Sequence, residues 1–273
     1  MATSLRDRLR VLYPGASGRR LKQWLVGGRI RVNGEVVRRG DVAVAVDDRV
    51  ELARPAIAFP PALRLVHDDA DLIVIDKPAG LLTIATETER THTAYRYLRD
   101  WVQAQGQGRI FVVHRLDRET SGLLVFARTP AAKRALQAQF RARRAERVYV
   151  ARVEGVVRES AGELRSRLVE DRTLRVRAVP GGSGGAEAIT RFRVLERYRD
   201  ATLLEVTLVT GRRGQIRVQL AARGHPVVGD RTHGSRSDPL GRLGLHATRL
   251  GFVHPKGRRV VFESPAPVAF RRA

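Results

Sequence analysis

An α+β protein is what this sequence predicts: a small N-terminal helix–hairpin domain, then a mixed, largely antiparallel β-sheet domain with flanking helices. Three observations predict it. The first fifty residues pass from helical to alternating hydrophobic spacing and carry an Asn-Gly pair. A proline-rich segment then interrupts the chain. Beyond residue 145, extended apolar runs follow one another with few helical stretches between them, which favours antiparallel strands over strand–helix–strand crossovers. The boundaries drawn are 1–53, a linker over 54–62, and 63–273.

Each element has its own warrant. In "SGRRLKQWLVGGRIRVNGEVV", Ser17 is a candidate N-cap, and Leu21, Trp24 and Leu25 recur at helical spacing. Gly27 and Gly28 suit the helix end, and Asn33-Gly34 closes a hairpin. A second short strand pair is expected around "VAVAVDDRVEL". "ARPAIAFPPAL" reads as linker because its three prolines remove backbone donors. In the second domain "LIVIDKPAG" is a buried strand ending in a turn, and "RIFVVH" and "GLLVFART" are further buried strands. "TAYRYLRDWVQA" is a helix with Tyr97, Leu98 and Trp101 on one side. "TPAAKRALQAQFRAR" is a helix capped by Thr129 with Pro130 at its first position. "RVYVARVEG", "TLRVRAV", "AITRFRVLERY" and "ATLLEVTLV" are strands, "PGGSGG" at 180–185 is a loop, and "GRRGQIRVQLAARG" is a helix opening on a glycine turn.

Charge narrows the function. The chain carries 51 basic residues against 28 acidic ones, a formal net charge of +23, and solubility needs far less. A polyanionic partner, nucleic acid first of all, is expected. All but four of the bases are arginine, which a GC-rich genome would also produce, but such a bias does not explain the excess over acids. Cysteine is absent, which excludes disulfides, thiolate metal sites and cysteine nucleophiles. The seven histidines show no metal-ligand spacing, and no cofactor is called for. No long apolar segment opens the sequence, so the cytoplasm is the default location. No heptad seam is visible, so a monomer is expected.

The stretch "FVVHRLDRETSGLLVFAR" breaks a hydrophobic run to display Asp117 among His114, Arg115 and Arg118. A carboxylate among cations is acceptor-only and able to act as nucleophile or base. It is equally able to serve as half of an ion pair or as a turn former, and spacing alone leaves that open.

This string closely resembles the signature of the RluA-type pseudouridine synthases. The resemblance extends over most of residues 63–273, through "DKPAGLL", "RVYVARVEG", "VTGRRGQIRVQLAARGHPVVGD" and "LGLHATRLGFVHP" in order. It implies an isomerase that turns uridine into pseudouridine in structured RNA without a cofactor. It implies Asp117 as nucleophile, Tyr149 as the ring that packs on the target base, and Arg217 as the partner of the aspartate. Arg115 would help extrude the nucleotide, and His114 and Leu116 would shape the loop. Gly214 stands where the family commonly has histidine.

The first fifty residues resemble the small S-four-type RNA-binding fold, with Gly18 in place of its frequent arginine. RNA contacts are accordingly expected from Arg19, Arg20, Lys22, Arg29 and Arg31 there. Arg115, Arg118, Arg144 and Arg212 are expected to contribute from the second domain, where Arg141, Arg143, Arg144 and Arg147 cluster just before Tyr149. A solvated helix end explains that cluster equally well. Ribosomal RNA is the favoured partner and transfer RNA the alternative. The rival readings are a non-catalytic RNA-binding assembly factor and an RNA methyltransferase. The latter lacks a glycine-rich strand–helix turn.

Overall fold

A computed structural model describes residues 3–53, 58–105, 108–171, 176–179 and 184–271. It divides into two compact units, with the main boundary between Ala58 and Phe59 and a short return to the first unit at Ala104.

The smaller unit runs β1 (Thr3–Ser4), α1 (Leu5–Leu12), α2 (Gly18–Val26), β2 (Ile30–Val32), β3 (Glu35–Val36), β4 (Ala43–Val44) and β5 (Val50–Leu52). Ser4 and Ser17 cap the helices by accepting from Asp7 N and Arg20 N. Asn33 and Gly34 both take positive φ, 53° and 88°, as a two-residue hairpin turn demands. Leu5, Leu9, Leu21, Trp24, Leu25, Ile30 and Val44 form the core. The expected second strand pair does not pair with itself: β4 joins β1, and β5 joins β2. Asp48 explains the departure. Its carboxylate accepts from Ala45 N and from the Asn33 side chain, which ties the turn to the first hairpin.

The larger unit contains β6 (Arg64–Asp68), β7 (Leu72–Lys77), α3 (Ala94–Ala104), β8 (Phe111–Val112), β9 (Ser121–Ala127), α4 (Pro130–Arg141), β10 (Glu146–Glu154) and β11 (Ala161–Glu170). It continues with β12 (Val176–Val179), β13 (Ala186–Arg197), β14 (Ala201–Leu208), α5 (Gln215–Ala222), β15 (Leu245–Val253) and β16 (Arg259–Glu263). Its strands make one sheet in the order β12-β11-β13-β14-β10-β15-β9-β7-β6, with β16 on β15 and β8 on β9. Every pairing is antiparallel except β15 with β9.

The unbroken apolar runs of β7 and β9 follow from burial on both faces. Ile73, Ile75, Leu124 and Phe126 join one core with α3 and α5, while Leu72, Val74, Leu123 and Val125 join another with α4. At Gly122 a β-carbon would overlap the Ala247 backbone, so glycine lets β9 approach β15.

Thr129 and Pro130 begin α4 as expected. "RIFVVH" is not a buried strand: only Phe111–Val112 pairs, half-buried, because the chain leaves the sheet to form the loop bearing Asp117. Strand β11 has no apolar pattern to betray it, since between Ala161 and Glu170 only Leu164 and Leu168 are buried. Most of "PGGSGG" lies outside the described residues.

Candidate active site

The loop between β8 and β9 holds Asp117 by fixing its neighbours. The Thr83 hydroxyl donates to Leu116 O at 2.8 Å and accepts from Leu116 N at 3.1 Å. On the other side, Arg118 O accepts from Gly80 N at 2.9 Å and from Lys77 Nζ at 3.0 Å. Lys77 is fully buried and also donates to Pro78 O and Leu81 O. Burial pushes its pKa down to about 8, which leaves it protonated at neutral pH with each N–H matched to a carbonyl. The turn after β7 therefore grips residues 116 and 118 on either side of Asp117, which lines a cavity.

Arg217 reaches that carboxylate from α5. The helix begins at Gln215, whose side chain accepts from Thr210 Oγ1 and Arg212 N and donates to Ile189 O and Thr190 Oγ1. Gly214, at φ 60°, makes the left-handed turn into it, a conformation glycine adopts without strain. In the first turn of α5 Arg217 forks onto Asp230, with Nε and Nη2 each 2.7 Å from a carboxylate oxygen. Its remaining Nη1 lies 3.5 Å from Asp117 Oδ2. Asp230 is almost fully buried and also faces His233 Nδ1 at 3.0 Å. Burial alone would raise the Asp230 pKa, but the Arg217 and His233 contacts outweigh it and hold the acid at about 2. The expected acid–arginine pair is thus a looser ion pair, and the tight partner of Arg217 is an acid to which sequence reasoning gave no role.

Tyr149 stands on β10 between Val206 of β14 and Ala247 of β15. Burial pushes its phenol up to about 12, so it stays neutral at any working pH. Tyr149, Asp117, Arg217, Leu116 and Leu245 line one cavity of about 500 Å³. That volume suits a small organic group. A second hollow, about 530 Å³, shares Asp117, Arg115, Arg213 and Arg217 with the first and adds Arg118 and Arg231.

The other anticipated residues are scattered. Arg115 lines both hollows and Arg212 the first. Arg118 borders the second, and its Nε donates to Gly80 O. Arg144 is exposed past α4 and lines neither. His114 shapes the loop as a neutral ring: it accepts from Val125 N and stacks on Phe140, and burial pushes it down to about 3. In the smaller unit Arg19, Arg20, Lys22 and Arg31 are exposed. Arg29 is half-buried over the Trp24 ring, and Arg20 covers the same ring.

Lys77, Thr83 and Asp230 were missed. All three lie in or beside strings that carry the resemblance, but burial of a polar group is a property of the fold and leaves no local mark. Folding also brings His254 within metal-ligand reach of Asp69 and Asp71, far from it in sequence. His254 and His67 each meet Asp69 Oδ2 through Nε2, at 3.0 and 2.8 Å, so hydrogen bonding already accounts for that cluster.

A family model described as RNA pseudouridylate synthase matches residues 71–222. A relative named ribosomal large subunit pseudouridine synthase D, from Neisseria meningitidis serogroup B, is 34% identical over 94% of this chain and 74% of its own length. A protein of the same name from Pseudomonas aeruginosa is 34% identical over 95% of this chain and 87% of its own. Among solved structures, human RNA pseudouridylate synthase domain containing 1 superposes with a TM-score of 0.64 at 26% identity, covering 75% of this chain and 84% of that one.

Proposed function

Since the chain belongs to the RNA pseudouridylate synthase family and is an isomerase of RNA uridine, we propose that it modifies large-subunit ribosomal RNA, with Asp117 as its nucleophile. The observation that carries this reading is the convergence of Asp117, Tyr149 and Arg217 on one cavity of nucleotide-sized volume. The two relatives named for the large ribosomal subunit support the choice of RNA.

Pseudouridine formation breaks the bond from N1 to the ribose C1′ and makes one from C5 to C1′. The C5 proton leaves and N1 gains one, so atoms and electrons balance with no second substrate. Asp117 is the group that can assist cleavage at the ribose–base junction. Arg217 aims it, through a charged contact at 3.5 Å. The freed base must turn while bound. The Tyr149 ring suits that step, because stacking tolerates in-plane rotation and contributes ~1–3 kcal/mol per base. Neutral to about pH 12, the tyrosine offers a face and a hydroxyl and no charge.

A base in folded RNA must first be flipped out, at a cost of a few kcal/mol. Arg115, exposed at the junction of both hollows, is placed to fill the gap it leaves. The basic residues of the smaller unit, Arg19, Arg20, Lys22, Arg29 and Arg31, would add phosphate contacts, as an S-four-type domain over 1–53 would. We place the reaction in the cytoplasm, where ribosomal RNA of a bacterium is made; no helix among the described residues is long and apolar enough to cross a membrane.

The test uses large-subunit ribosomal RNA transcribed with uridine tritiated at C5. The wild-type protein should release tritium with nothing added, and Asp117→Asn should lower release by at least about a thousand-fold while RNA binding stays within a few-fold. Release only with transfer RNA would redirect the substrate. An Asp117→Asn protein that turns over normally would remove the nucleophile from the account.

A further inference from the structure

We propose that Arg147 is a phosphate-binding residue of the cavity, holding the RNA backbone beside the nucleotide whose base lies on Tyr149. The inference rests on the RNA-isomerase reading above and adds a positioning group to it.

Arg147 is 9% exposed, yet no carboxylate pairs with it and no protein acceptor takes a hydrogen bond from it among the described residues. Its Nε is buried without a partner. Burying a guanidinium without a counter-ion is costly, and proteins avoid it unless something else supplies the charge. Other buried guanidiniums hold at least one acceptor: Arg152, at 4% exposure, donates to Phe270 O through Nη1 although its Nε too makes no hydrogen bond, and Arg217 forks onto Asp230. Arg147 has only the face of Phe140, 5.7 Å from its guanidinium carbon, and that ring is already stacked on His114.

The local structure keeps the guanidinium in the cavity. Arg147 lines the same hollow as Asp117 and Tyr149. Phe140 supports it from α4, and a β-carbon at Gly211 would overlap its Nη1, so glycine leaves the space it occupies. Neutral His114, pushed down to about 3, neither competes for an anion nor supplies one.

The lining of the hollow suits the ligand. Arg147 and Tyr149 are two residues apart on β10, so strand alternation sends both side chains to one face, and both line the same hollow. Arg115, Arg212 and Arg213 border the same hollow, so its field suits an anion. A planar fork of donors is matched to phosphate oxygens.

The experiment measures binding of unmodified large-subunit ribosomal RNA, transcribed in vitro, as potassium chloride is raised. Wild type is compared with Arg147→Gln, Arg147→Lys and Gly211→Ala, each shown by circular dichroism to be folded. Gly211→Ala keeps the charge but displaces the guanidinium, so it tests the contact even if Arg147→Gln fails to fold. We expect Arg147→Gln and Gly211→Ala to flatten the plot of log K against log salt by ~0.7–0.9, the slope of one phosphate contact. We also expect KM for tritium release to rise about ten-fold, more than kcat falls. Arg147→Lys should keep the slope. A purely structural arginine would leave the salt slope untouched, and an unchanged slope and KM in a folded Gly211→Ala protein would overturn the inference. If the slope falls as expected but wild type releases no tritium, the phosphate contact stands and the isomerisation reading fails.

Discussion

At the scale of single residues, the division of labour on Arg217 decides how the acid is held. Two of its nitrogens sit 2.7 Å from Asp230 and the third 3.5 Å from Asp117. The guanidinium is thus aimed by one acid and offered to another. A lysine has no planar fork and cannot do both. Arg217→Lys should therefore lower kcat ~10- to 100-fold with KM within about three-fold, as steady-state tritium release would show.

Asp230 predicts a pH effect of defined sign. Its folded pKa is about 2 against an ordinary 3.8, so the stability it contributes is complete above pH 3.8 and lost as pH falls through 2. The gap corresponds to about 2 kcal/mol. Asp230→Asn should be less stable than wild type at neutral pH, and the difference should shrink by about that amount between pH 6 and pH 2 in denaturant titrations. Asp117, Tyr149 and Arg217 could be picked out in the sequence because a resemblance implied roles for them, and the structure brings the three to one cavity. Asp230 and Lys77 lay in the same strings without a role, because their importance comes from burial among partners 13 and 41 residues away.

At the scale of elements, the turn after β7 and the loop before β9 act as one piece. Thr83 joins them by two hydrogen bonds to Leu116 in a fully buried setting. Thr83→Val keeps the shape but strands a buried N–H and a buried carbonyl, each worth ~1–3 kcal/mol. Thermal melting should show a loss of about 2–4 kcal/mol, with kcat falling because the backbone beside Asp117 is no longer fixed. Capped helices and doubly buried strands were legible here. Thr129-Pro130 marks the start of α4, and the apolar runs of β7 and β9 mark strands covered on both sides. Strand β11 was not, since a strand with just two buried side chains in ten residues carries no periodic signal. The partner of β4 was equally hidden, because β4 is two residues long and pairs with a strand 39 residues or more away in sequence.

For the whole molecule the net charge of +23 sets the expected response to salt. If six or more phosphates are neutralised, affinity for ribosomal RNA should drop at least about a thousand-fold between ~50 and ~200 mM salt, measurable by filter binding. A weak salt response would mean that arginine abundance reflects codon usage and not phosphate recognition. The antiparallel architecture was readable from the succession of strands. The sheet order was not, because pairing partners far apart in sequence are chosen by tertiary packing.

Strand β15 lies between β9, which leads out of the Asp117 loop, and β10, which carries Tyr149. His246 and Ala247 pair with Ser121 and Gly122 on one side, and with Val150 and Tyr149 on the other. During translation the acid and the tyrosine are therefore both made long before the spacer that sets them side by side. A polypeptide truncated upstream of residue 245 lacks the strand that joins them, and we expect it to release no tritium from RNA.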